Sequence, residues 1–230
     1  MSAIRGSTHA LSISALVFVA SLLPSYVLSA DEACSSDSSI CGLDKVLTLP
    51  SILANISPPV IQTPDWMKPK TVFTYRIETK GVIIADLAEF KQQANATLND
   101  SRGWSRLDVI FTEVSGDSDF VLVLSEASQV PSYAPTVCSS VYSCSVGRFV
   151  IINQDRWLGA TPAWNNGGGN LRDYRHMVVN HEVGHWLGQG HAYCAGSGQP
   201  ASVMQQQSID LGGCSFNPWP LDSELWSSRL

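Results

Sequence analysis

HEVGHWLGQGH, residues 181 to 191, is the stretch on which the fold turns, and four of the chain's five histidines lie between 176 and 191. On a helix, His181 and His185 stand about 40° apart on one face, with Cβ atoms roughly 5 to 6 Å from each other. One metal ion can bridge such a pair. Zinc takes imidazole nitrogens at about 2.0 to 2.1 Å, and a third protein ligand leaves one position open for water. Gly188 explains how that ligand arrives. Glycine readily takes the left-handed conformation that ends a helix, and the reversing chain then brings back His191. His176 faces roughly 140° from His181 and 180° from His185, which removes it from the ligand set. Glu182 points about 100° around the helix from His181, beside the metal and not at it. A carboxylate so placed is expected to act as general base toward zinc-bound water and then to protonate a leaving amine.

Working outward, Asn170 and Asp173 have N-cap and N3 spacing, and no proline interrupts residues 171 to 187, so one helix is expected to carry the motif. Val178, Val179, Val183, Trp186 and Leu187 surround its metal half on several sides, which indicates a buried central helix. Upstream, Phe73, Tyr75 and Ile77 alternate with Thr74 and Arg76 as in a half-buried strand beginning at Val72. Asp86 and Glu89 then open a helix with Leu87, Phe90, Ala94 and Leu98 on one stripe. Further strands are expected at residues 107 to 114, 120 to 124 and 148 to 153, the last two with continuous apolar runs typical of central strands. This order makes an α+β fold with a mixed sheet.

The 230 residues suit one domain plus a leader, 44% of them are hydrophobic, and the charged fraction of 15% is low. A net charge of -6 without any Lys/Arg run excludes nucleic acid as a partner. Arg5, the uncharged, largely apolar run from Ala10 to Leu23 and Pro24 read as a signal peptide over residues 1–30, which makes the protein secreted, or membrane-tethered if the signal stays uncleaved. No stable membrane span is expected after its removal, and the mature protein is expected to be a monomer. Residues 31–70, with Pro50, Pro58, Pro59, Pro64 and Pro69, read as a Pro/Ser-rich linker or pro-segment ahead of a domain at 71–230. Six cysteines in an exported chain favour disulfides. Nearest-neighbour pairing gives Cys34–Cys41, Cys138–Cys144 and Cys194–Cys214, among fifteen possible connectivities. The seven tryptophans are scattered without repeat spacing and read as packing residues.

The pattern HExxHxxGxxH, as His181, Glu182, His185, Gly188 and His191, resembles the metzincin zinc peptidases. That resemblance implies a methionine turn beneath the metal, for which Ser202-Val203-Met204 is the match, Met204 being otherwise an ordinary core methionine. The stretch from Tyr174 through His191, Cys194, Val203-Met204-Gln205-Gln206, Gly213-Cys214 and Asn217-Pro218-Trp219-Pro220 is similar, more closely, to a mostly actinobacterial family of exported metzincin-like proteins without an assigned substrate. The likeness runs from about Val72 to Leu221. It implies Zn²⁺ as cofactor, a protein or peptide substrate laid along a sheet edge, and a small C-terminal subdomain, which a Cys194–Cys214 bridge would tie around Met204. Two departures stand out. Gln205, Gln206 and Gln207 follow the methionine where several metzincins carry an oxyanion-binding tyrosine, and Ala192 after the third histidine matches none of the familiar subfamily markers. A noncatalytic extracellular zinc-binding module and a zinc hydrolase of cell-wall peptides remain the alternatives.

Overall fold

The computed structural model describes residues 70–230. The expected signal peptide, the 31–70 segment except Lys70, and the Cys34–Cys41 pair lie outside the described residues. Within them the chain runs β1 (Thr71–Lys80), α1 (Leu87–Leu98), β2 (Val109–Glu113), β3 (Phe120–Ser125), β4 (Cys144–Val146), β5 (Phe149–Asn153), α2 (Gln154–Gly159), α3 (Pro162–Asn166) and α4 (Leu171–Trp186). The strands form one mixed sheet in the order β2-β1-β3-β5-β4, parallel throughout except for the antiparallel edge strand β4. The expected α+β class is therefore the observed one.

Strand β3 shows why the sheet sits where it does. Every one of its residues is buried. Because successive side chains leave opposite faces, Phe120, Leu122 and Leu124 join α1 and α4 in the main core, while Val121 and Val123 meet Val130, Cys138 and Ile151 on the other face. The loop between β3 and β4 closes over that second face, and the Cys138–Cys144 disulfide pins it to the edge strand. On α1, Asp86 caps two amides, from Ala88 and Glu89, and Phe90, Ala94 and Leu98 turn inward. Leu87 is more exposed than the stripe implied. Glu89 binds Arg175 of α4 at 2.7 Å instead of closing a capping box.

The start of β2 differs from expectation. Residues 104 to 107 form a 3-10 turn and β2 begins at Val109, because Asp108 adopts a left-handed φ of 58° and the buried Trp104 donates its indole N–H to Asn180 O. Strand β4 and helices α2 and α3 have three, six and five residues, too short for a periodicity to register. Trp104, Trp157, Trp164 and Trp186 are core residues.

After α4 the chain has almost no regular structure, only a 3-10 turn at Asp222–Glu224 and two isolated bridges. Its backbone groups still need partners, and amide side chains provide them. Gln205 Nε2 donates to the carbonyls of Asp210 and Leu211, Gln207 Nε2 to Ser202 and Asn217, and Asn217 Nδ2 to Ala201 and Trp219. The Cys194–Cys214 disulfide closes this segment.

Leu122 is fully buried at the centre of the sheet. Leu122→Ala is expected to cost about 2 to 5 kcal/mol, read from the midpoint of urea unfolding with the slope unchanged.

Candidate metal centre

Helix α4 begins at a built cap: Asn170 Oδ1 accepts from Asp173 N at 2.8 Å, and Asn170 Nδ2 donates to Asp173 Oδ2 at 2.6 Å. From Tyr174 to Gly184 every residue is buried. Two of the polar ones near its start have partners outside the helix. Arg175 donates to Trp157 O and to Glu89, and His176 contacts Thr97 Oγ1 at 2.8 Å while packing on Trp219, away from the other histidines.

The helix ends at Gly188, whose φ of +102° lets the chain reverse; a Cβ there would also strike Ser228. The reversal returns His191 to the helix. His185 Nε2 then lies 3.2 Å from His181 Nε2 and 3.1 Å from His191 Nε2. Two ligands on a tetrahedral zinc with bonds of 2.0 to 2.1 Å stand about 3.3 Å apart, so these spacings fit a shared ion.

Proton positions argue the same way. His181 Nδ1 lies 2.8 Å from Val203 O and His185 Nδ1 2.9 Å from Gln189 O. A carbonyl only accepts, so each Nδ1 carries the proton and each Nε2 presents a lone pair to the other. Facing lone pairs repel unless a cation lies between them. Burial lowers the pKa of all three imidazoles, that of His181 to about 3, with His185 and His191 adding to the effect. They are neutral at pH 7 and release no proton when a metal binds.

Glu182 is 5% exposed, and burial alone pushes its carboxyl up to about 8. It lines, with the three histidines, a cleft of about 480 Å³. The same cleft is lined by Tyr142, Cys144 and Ser145, the last two on β4, whose outer edge is unpaired among the described residues. Of the three glutamines after Met204, only Gln206 is exposed in the cleft; Gln205 and Gln207 are buried.

The Ser202–Met204 turn lies directly under the three histidines. Val203 supplies the carbonyl for His181, and Met204 O accepts from Ala192 N at 3.1 Å, next to His191. A Cβ on Gly184, between His181 and His185, would collide with Met204 Sδ and Trp104. Gly184 has a signal in the sequence, since an internal glycine costs a helix about 1 kcal/mol and so asks for a packing reason. Tyr142 and Glu224, which holds this turn, carried no sequence signal.

Fold and site together define an α+β protein with a three-histidine group compatible with zinc binding. Residues 59–222 match the model of a family described as "Protein of unknown function (DUF3152)", and the chain belongs to that family. No curated protein matches it significantly. Among solved structures it is similar to the crystal structure of archaemetzincin from Methanopyrus kandleri, with 16% sequence identity and a TM-score of 0.40 over 69% of this chain and 93% of that one.

Gly184→Ala is expected to destabilise the protein by about 1 to 3 kcal/mol despite its gain in helix propensity, measured by thermal unfolding. Glu182 offers a pH test in metal-free protein. Its folded pKa lies above the ordinary 4.5, so the native state loses stability as pH rises from 4.5 through about 8. Glu182→Gln removes that loss, and the metal-free variant is expected to exceed wild type by about 4 kcal/mol at pH 8 and to match it near pH 4.

Proposed function

We propose that this chain is a secreted zinc-dependent peptidase of metzincin type, with His181, His185 and His191 as metal ligands and Glu182 as general base. The observation that carries the reading is the convergence of three Nε2 atoms, two of them on rings oriented through Nδ1, beside a buried carboxylate and open to a cleft. Three protein ligands leave a coordination position free, whereas structural zinc sites are normally closed by four. Zinc held there would polarise a carbonyl and acidify a bound water.

The chain's own groups do the rest. Glu182, kept from bulk water beside the three histidines, accepts the proton of the attacking water and passes it to the leaving amine. The free edge of β4 offers backbone donors and acceptors to an extended peptide, so the substrate is bound by strand addition along the cleft wall. Gln206 and Tyr142 are polar side chains available there to the substrate. Export by a signal peptide at 1–30, with the working domain at 71–230 as a monomer, agrees with the disulfides Cys138–Cys144 and Cys194–Cys214. No described helix is long and apolar enough to cross a membrane.

Purified protein is expected to hold about one zinc per chain and to cleave a mixed peptide library, with loss on chelation and recovery on adding Zn²⁺. Glu182→Ala should keep the metal and lower cleavage by about 10² to 10⁴-fold. Zinc-loaded protein whose cleavage does not depend on Glu182 would assign the site to a binding module, and wild type unable to take up zinc would overturn both readings.

A further inference from the structure

We propose that Glu224, in the C-terminal segment, is a positioning residue for the metal centre, acting through the carbonyl groups that orient His181 and His185. The inference rests on the three histidines holding zinc. Glu224 lies two residues beyond the family match, which ends at 222. It is 7% exposed and has no ion-pair partner among the described residues. A carboxylate buried without a cation is costly unless hydrogen bonds replace its hydration. Here four donors do so. Oε2 accepts from Val203 N at 3.1 Å and Leu221 N at 2.7 Å, while Oε1 accepts from Met204 N at 3.0 Å and from Ser202 Oγ.

Three of those donors belong to the turn under the ligands. The Val203 amide is held by Glu224, and the Val203 carbonyl accepts from His181 Nδ1. A second arm reaches the other helical ligand. Gln189 Nε2 donates to Glu224 O at 2.7 Å and Trp226 O at 2.6 Å, and Gln189 O accepts from His185 Nδ1 at 2.9 Å. One residue thus fixes, by its side chain and its carbonyl, the outer partners of two ligands. Such partners set the tautomer and orientation of a ligating imidazole, and their loss typically weakens metal binding by about 10 to 100-fold. An amide in place of this carboxylate would turn one acceptor oxygen into a donor facing backbone N–H groups, so Glu224→Gln disturbs the turn without emptying the space.

The test uses the full chain and compares wild type, Glu224→Gln and Arg175→Met. The last breaks the pair between buried Arg175 and exposed Glu89 on the far half of α4 and serves as a control for stability alone. Zinc affinity is read by chelator competition, and ligand geometry by the visible bands of Co²⁺-substituted protein. Glu224→Gln is expected to weaken zinc binding about 10 to 100-fold and to shift the cobalt bands, whereas Arg175→Met lowers the melting temperature and moves neither. Equal affinity and identical bands in Glu224→Gln and wild type would overturn the proposal while leaving the metal reading intact. Should Glu224→Gln not fold, Gln189→Leu severs the second arm and is expected to weaken zinc binding by about threefold or more; no change there would be equally fatal. A wild-type chain that binds neither zinc nor cobalt overturns the metal reading, and this inference with it.

Discussion

Helix α4 has to be the centre of the core and the platform for His181, Glu182 and His185 at once, and most other features follow from that double demand. Its buried run from Tyr174 to Gly184 touches the sheet, α1 and the Ser202–Met204 turn, so almost no side of it is left for solvent. In a helix so enclosed an unpartnered polar atom is costly, so the partners of the imidazoles matter. Nδ1 of His181 and His185 are satisfied by carbonyls, which leaves the Nε2 atoms as the free groups directed at one another. The polar chemistry of the site is thereby concentrated at one point.

Below the helix, an irregular segment does what a second sheet does in other folds. It has no ladder to satisfy its backbone, and glutamine, asparagine and one glutamate take that role. This explains how a chain with few charges still builds a rigid floor, since side-chain amides satisfy carbonyls without the desolvation penalty of an ion. The Cys194–Cys214 bridge closes the same floor from outside.

The electrostatics divide cleanly between the two kinds of group at the site. Burial disfavours charge on both, holding the imidazoles neutral and pressing Glu182 toward its protonated form. A divalent cation among the histidines would reverse the balance for Glu182 by opposite-charge stabilisation. The site's metal-free electrostatics are therefore strained in the direction that a cation relieves.

Local pattern was enough for the parts of this protein that depend on one element at a time. The 3.6-residue period puts His181 and His185 on one face, Gly188 marks a reversal because only a residue without Cβ takes that φ easily, and the uninterrupted apolar run at 120 to 124 marks a strand covered on both sides. Tertiary structure alone decided what crosses the chain. The short edge strand β4 has no period to read, Tyr142 reaches the cleft only because the 138–144 loop is folded over the sheet, and Asp108 moves the start of β2 through a backbone conformation invisible in composition. Glu224 is the clearest case. In sequence it is one acidic residue in a polar tail, and its role comes from a carboxylate meeting backbone amides some twenty residues away, a contact that no local propensity encodes.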